Sequence, residues 1–270
     1  MTLMPRGARR WRRYAWLGTL LVLGGLYALV LITLVRTENP NLVPSVILLG
    51  ATVVPVSFLV FAEGRSGRWQ VSPAVLAGTA FIGGVIGVVV AGWLEWDALR
   101  SLGTLPMLFV AVIEETAKLV VPVIILVATL SSGRRDPADG LVIGVASGVG
   151  FAALETMGYA FTALLSSKGG IGAVEQTLFL RGVLAPAGHI AWTGLTAGAL
   201  WALAARPGGR RLAVFAGTFA GAIALHTLWD SIGAVLAYAV LGLVSVGWLL
   251  IAMRRYRTFA TAVDRAPAVH

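Results

Sequence analysis

The chain is a succession of apolar stretches, each about twenty residues or longer, separated by short clusters of arginine. A hydrocarbon core about 30 Å thick is crossed by about 20 helical residues at about 1.5 Å each. No water reaches backbone N–H and C=O groups there, so only a helix or a closed barrel can span it. Uninterrupted apolar runs of this length are helical rather than alternating. The expected fold is therefore all-α, a polytopic transmembrane helical bundle of about eight spans. They fall near residues 14–35, 42–62, 72–94, 104–130, 139–165, 180–204, 212–231 and 233–252. The shortest separation, Ser231-Ile232-Gly233, lies between the last two. Of the 270 residues, 58% are hydrophobic and 12% charged, a balance foreign to soluble domains.

The arginines orient the bundle. Arg6, Arg9, Arg10, Arg12 and Arg13 precede the first span. Arg65 and Arg68, then Arg134 and Arg135, then Arg206, Arg210 and Arg211, then Arg254, Arg255 and Arg257 follow every second span. The alternate loops carry only Arg36, Arg100, Lys168 and Arg181. By the positive-inside rule both termini lie in the cytoplasm. The net charge of +9 is thus a topology signal and not a nucleic-acid surface. The first span reads as a retained signal anchor, since Val35-Arg36-Thr37-Glu38 is no cleavage site. With no cysteine, disulfides, thiolate-bound metal and cysteine nucleophiles are excluded.

Against this background several ionisable residues stand inside the spans: Glu114, Glu115, Lys118, Glu155, His189, His226 and Asp230. A charge at the centre of a membrane helix costs at least about 2.5–3.5 kcal/mol, so such residues mark function by default. In span four, Lys118 falls about 40° from Glu114 on the helical wheel, with Glu115 at about 100°. Two carboxylates and an ammonium thus share one arc. The lysine can hold one carboxylate ionised beside a tuned partner, as a general base requires. Span five carries Gly140, Gly144 and Gly148 at four-residue spacing, the last two on the side of Glu155, a pattern that brings helices together backbone to backbone. Span six carries His189, with Thr193 one turn on. Span seven carries His226 and Asp230 at i, i+4, where the carboxylate can fix the imidazole tautomer.

Counted along their spans, Glu115 lies roughly 16 Å, Glu155 roughly 15 Å, His189 roughly 13 Å and His226 roughly 8 Å below the outer membrane face. The four fall in the outer half of the bilayer, as one cavity open to the extracytoplasmic side would require. Plainer roles compete at each position. Glu114, Glu115 and Lys118 could be a packing ion cluster, His226 and Asp230 an interhelical tether, and His189 a structural histidine. Asp136 and Asp139 read as caps of the fifth helix. Phe151 reads as structural, and nothing argues for His270.

The set Glu114-Glu115-x-x-Lys118, Phe151-x-x-x-Glu155 and His226-x-x-x-Asp230 resembles the PrsW family of intramembrane proteases. Asp136-x-x-Asp139-Gly140, Gly150-Phe151-Ala152-Ala153-Leu154-Glu155 and Pro186-Ala187-Gly188-His189 add to the likeness, which runs from about Pro106 to Gly233. That family is similar to the CAAX prenyl proteases, whose Glu-Glu-x-x-x-Arg and Phe-x-x-x-His motifs are replaced here by Leu119 and Glu155. The resemblance divides the chain into residues 1–103 without a recognised motif, a protease core at 104–233, and a last span and tail at 234–270. It implies a multi-pass protein of a bacterial plasma membrane that hydrolyses a peptide bond of a membrane-anchored protein. In it Glu114 and Glu115 would activate water, Glu155 and His226 would complete the site, and Asp230 would orient His226. Lys118 and His189 would support them. Two routes stay open. Glu115, Glu155, His189 and His226 could hold zinc with an open water position. A carboxylate could also activate water directly, with an imidazole facing the oxyanion. The scarcity of histidine and the lack of His-Glu-x-x-His favour the metal-free route.

That lack also excludes a site-2 zinc protease, and no Gly-x-Gly-Asp supports a presenilin-type protease. Val145-Ala146-Ser147-Gly148 misses the rhomboid Gly-x-Ser-Gly at its first position. Two non-protease classes compete. An ion- or proton-coupled transporter would use the buried carboxylates as relays, with Pro122 the one hint of an interrupted helix. A scaffold without activity would bind membrane partners.

Overall fold

The computed structural model describes residues 6–65, 71–130 and 136–263. Arg68, Arg134 and Arg135 of the basic loops, and His270, lie outside them. Among the described residues there are nine α-helices and no strand. In chain order they are α1 (Arg6–Thr37), α2 (Val43–Glu63), α3 (Pro73–Leu102), α4 (Met107–Thr129), α5 (Pro137–Ser166), α6 (Ile171–Leu184), α7 (His189–Ala205), α8 (Gly209–Ser231) and α9 (Val235–Val263). Six of them, α1, α2, α3, α5, α8 and α9, are long and apolar enough to cross a membrane. With its 23 residues α4 is long enough, but Glu114, Glu115 and Lys118 interrupt its apolar character.

The sixth span differs from the sequence expectation. Residues 180–204 are not one helix but the end of α6 and the whole of α7, of 14 and 17 residues. Between them Ala185–Ala187 form a 3-10 turn, and Gly188 adopts φ −112°, ψ −120°. Pro186 has no N–H to give an α-helix, and the glycine then turns the chain outside helical space. Hydropathy runs straight through this break because every residue at it is small or apolar. By contrast, Pro122 lies inside a continuous α4.

Local chemistry sets the other ends. Ser72 caps α3 by accepting from the Val75 N–H at 3.2 Å, with Pro73 at the first helical position. Gly103, at φ 70°, closes α3 through its N–H to Leu99 O at 2.9 Å. Asp136 accepts from the Ala138 N–H at 2.9 Å, the capping role expected for it.

The helices form two compact units. The first takes residues 1–65 and 152–186, hence α1, α2, the second half of α5 and α6. Its core is Leu34, Val46, Ile47, Ala51, Ala160, Val174 and Leu178. The second takes residues 66–151 and 187–270, hence α3, α4, the first half of α5 and α7 to α9. Helix α7 is its central element, with 12 of its 17 residues buried, so it is apolar all round. Gly144 and Gly148 of α5 let α7 approach to backbone contact. A Cβ would stand 2.5 Å from Thr193 O at Gly144 and 2.7 Å from His189 O at Gly148. On α3, Gly84 meets the Gly150 backbone in the same way, with a Cβ there 2.6 Å from the Gly150 carbonyl carbon.

Candidate active site

Helix α4 brings Glu114, Glu115 and Lys118 into the interior of the second unit, all three buried. The Lys118 ammonium donates to Glu115 Oε1 at 2.7 Å and lies 3.2 Å from Glu114 Oε2. It also meets His189 Nδ1 at 2.7 Å. An ammonium has donors only, so this ring nitrogen is the acceptor. The ring of Phe151 lies below the same charge, 4.4 Å from Nζ to centroid.

His226 comes from α8 and is 1% exposed. Its Nδ1 faces Glu115 Oε1 at 2.9 Å and its Nε2 faces Asp230 Oδ2 at 3.0 Å. A neutral imidazole donates from only one nitrogen, so one of these contacts is given up whenever the ring is neutral. Glu114 Oε2 lies 3.6 Å from His226 Nε2 and 3.8 Å from His189 Nδ1. This oxygen is buried and receives no hydrogen bond. Asp230 is the wettest member, with its side chain 32% exposed.

The cluster therefore gathers six of the seven residues singled out in the sequence. Three carboxylates oppose one ammonium. With all three ionised and both imidazoles neutral, two negative charges are left over. A divalent cation or two protons would balance them. Among the described residues, Glu114, His189 and His226 form the group with metal-ligand spacing, one donor atom from each lying within 4.8 Å of the others. Glu115 stands outside it as the partner of Lys118 and His226. Glu155 belongs to the first unit, where its Oε2 pairs with Arg181 at 2.6 Å. Because α7 begins at His189, that histidine opens a helix and is not part-way along a span. It drops out of the depth comparison.

Several contributors carry no charge and escaped the sequence reading. Trp192, fully buried, stacks on His226 with centroids 4.9 Å apart and planes at 25°. Its Nε1 donates to Ser245 Oγ of α9 at 3.0 Å, which fixes the indole. Ser147 explains a second feature. Pro122 cannot donate to the carbonyl four residues back, which is that of Lys118. The Ser147 hydroxyl of α5 donates to that oxygen instead, at 2.7 Å. The serine of the rhomboid near miss thus has its proton committed to a backbone repair. Gly83 and Gly87 of α3 leave room behind it: a Cβ would stand 2.9 Å from Ser147 Oγ at Gly83 and 2.9 Å from the Phe151 ring at Gly87. The signal was there in Gly83-Gly84-x-x-Gly87, the small-residue spacing already noted in span five.

Comparison with known proteins adds one finding. The model of the PrsW family intramembrane metalloproteases matches residues 71–254, from just before α3 into α9, and so takes in the whole cluster. No curated protein and no solved structure matches the chain.

Proposed function

Since the chain belongs to the PrsW family of intramembrane metalloproteases, it is a peptidase of the membrane, and we propose that its working centre is the cluster around Glu114, Glu115 and His226. There it hydrolyses a peptide bond of a membrane-anchored protein. The observation that carries this reading is the division of labour between adjacent glutamates. Glu115 Oε1 is taken by Lys118 and His226, whereas Glu114 Oε2 is buried with no hydrogen bond. That oxygen has the Lys118 ammonium 3.2 Å away as an ion partner and no donated hydrogen bond, which leaves it open to a water or an ion.

The donor set fits a metal. One carboxylate and two imidazoles leave the fourth position of a tetrahedral zinc site to water. Glu114, His189 and His226 would hold the ion, which would supply an acidified water and a polarised carbonyl. Glu115 orients His226 through Nδ1, so that Nε2 faces Glu114. Lys118 pins Glu115, and Trp192 holds the imidazole plane. Asp230 holds that same Nε2 at 3.0 Å, a contact that a bound ion would displace. The basic loops support a topology with both termini in the cytoplasm.

Lys118 supports a second reading. Its ammonium already lies on Glu114, Glu115 and His189, where an ion would compete with it. Without metal, Glu114 Oε2 takes the proton of the attacking water, while Lys118 and His226 face the developing oxyanion.

New protein N-termini in membranes carrying the parent chain or Glu114→Gln at matched levels test the site. Termini present only with the parent support it; identical profiles would sink it. Metal analysis of purified protein separates the two readings. Stoichiometric zinc, lost in His189→Gln, supports the first. Full cleavage after exhaustive chelation supports the second.

A further inference from the structure

The first unit holds a cavity of about 1180 Å³ between the end of α1, the start of α2, the later turns of α5 and the start of α6. Its walls are mostly apolar, with Leu34, Ile47, Met157 and Phe161 among them. Two charged residues of opposite sign, Glu38 and Lys168, line it as well, and both are exposed. Neither has an ion partner among the described residues.

The backbone of these two residues is unusual in the same way. Glu38 has φ 53° and Lys168 has φ 54°, and among the described residues they are the non-glycine residues with positive φ. Each follows a helix end. The Glu38 N–H donates to Leu34 O at 2.8 Å, and the Lys168 N–H donates to Leu165 O at 3.1 Å. Glycine is the residue that a left-handed helix end favours, because a Cβ crowds the backbone there. Glu38 carries a second penalty, a negative charge at the negative end of the α1 dipole. The chain thus keeps two opposite charges beside one apolar cavity, at positions where glycine would fold more easily.

We propose that this cavity binds a phospholipid with a phosphoethanolamine headgroup. The acyl chains lie along the apolar walls. Lys168 meets the phosphate, and Glu38 accepts from the primary ammonium, so that both hydrogen bonds join charged groups. A choline headgroup has no N–H to donate to Glu38, and a glycerol headgroup brings it no cation. In a bilayer the chains are in hydrocarbon whether bound or free, so the two charges decide which lipid is held. The site lies within the first unit and does not rest on the reading proposed for the Glu114 cluster.

The test uses the purified full chain in detergent. Thermal unfolding midpoints are followed against dihexanoyl-phosphatidylethanolamine, the matching choline and glycerol lipids, and free phosphoethanolamine. The ethanolamine lipid should raise the midpoint at concentrations where the other three do not. Lys168→Gln and Glu38→Gln, which keep a side chain on the same backbone, should each weaken its binding about fivefold. Lys168→Gly and Glu38→Gly should weaken it as much while the lipid-free protein unfolds no earlier than the parent. An equal response to the choline or the glycerol lipid would overturn the proposal. So would glutamine variants that bind like the parent, since the charges would then have no part in binding. Free phosphoethanolamine matching the lipid would overturn a lipid as the occupant.

Discussion

Glu115 and Glu155 make an instructive pair. Each is a carboxylate in an apolar helix, and each has a cation within 3 Å. Glu115 is 1% exposed and shares one oxygen between an ammonium and an imidazole, with a second carboxylate beside it. Glu155 is 17% exposed and has Arg181, itself 32% exposed and stacked over Tyr159. In the second arrangement a guanidinium is the carboxylate's ion partner. The first leaves carboxylates in excess, so it holds binding capacity for protons or a metal. At Glu115 an ammonium and an imidazole converge on one oxygen, with Glu114 and Asp230 close by. The carrier reading rested on the buried carboxylates and on Pro122, which lies inside a continuous α4, and family membership makes the chain a peptidase.

The comparison breaks or sharpens in measurable ways. Glu114→Gln should lower cleavage by about a hundredfold or more, the usual worth of a positioned acid–base group, with the unfolding midpoint little changed. Lys118→Met should act on stability as well. It leaves Glu114 and Glu115 buried without their cation, at a cost of about 3–5 kcal/mol in reversible unfolding. Ser147→Ala should cost about 1–3 kcal/mol by stripping the Lys118 carbonyl of its donor. That cost should shrink when Pro122→Ala restores an N–H to α4; a strictly additive pair would refute the backbone-repair argument. Glu155→Gln should be mildest, within about 1 kcal/mol, as for a partly exposed ion pair. Its cleavage rate should stay within a few-fold of the parent. A loss as deep as that of Glu114→Gln would erase the distinction drawn between the two regions.

The spans with long apolar runs were legible because length and hydropathy decide them. So were Glu114, Glu115, Lys118, His226 and Asp230, since helical periodicity alone puts each set on one face. The break at Pro186 and Gly188 was hidden, although both residues were in view, because an apolar run conceals a turn from hydropathy. The split between the two glutamates was not readable, since it depends on which oxygen His226 reaches from 111 residues away. The contact of Trp192 with Ser245 is equally tertiary. The task of Ser147 was half readable: Pro122 announces an orphaned carbonyl at Lys118, but not the helix that answers it.

That orphaned carbonyl bears on how the protein is made. In lipid, a backbone oxygen without a donor is as unwelcome as a charge. Helix α4 has both liabilities: three ionisable side chains and one carbonyl that its own helix cannot serve. It is a poor candidate to leave the insertion machinery unaided. The hydroxyl that completes its backbone arrives with the next helix to be synthesised, α5, and a balancing imidazole arrives later still with α8. Assembly of α4 is thereby deferred until its neighbours exist, so that a chain truncated after α4 should be retained at the translocation machinery or degraded.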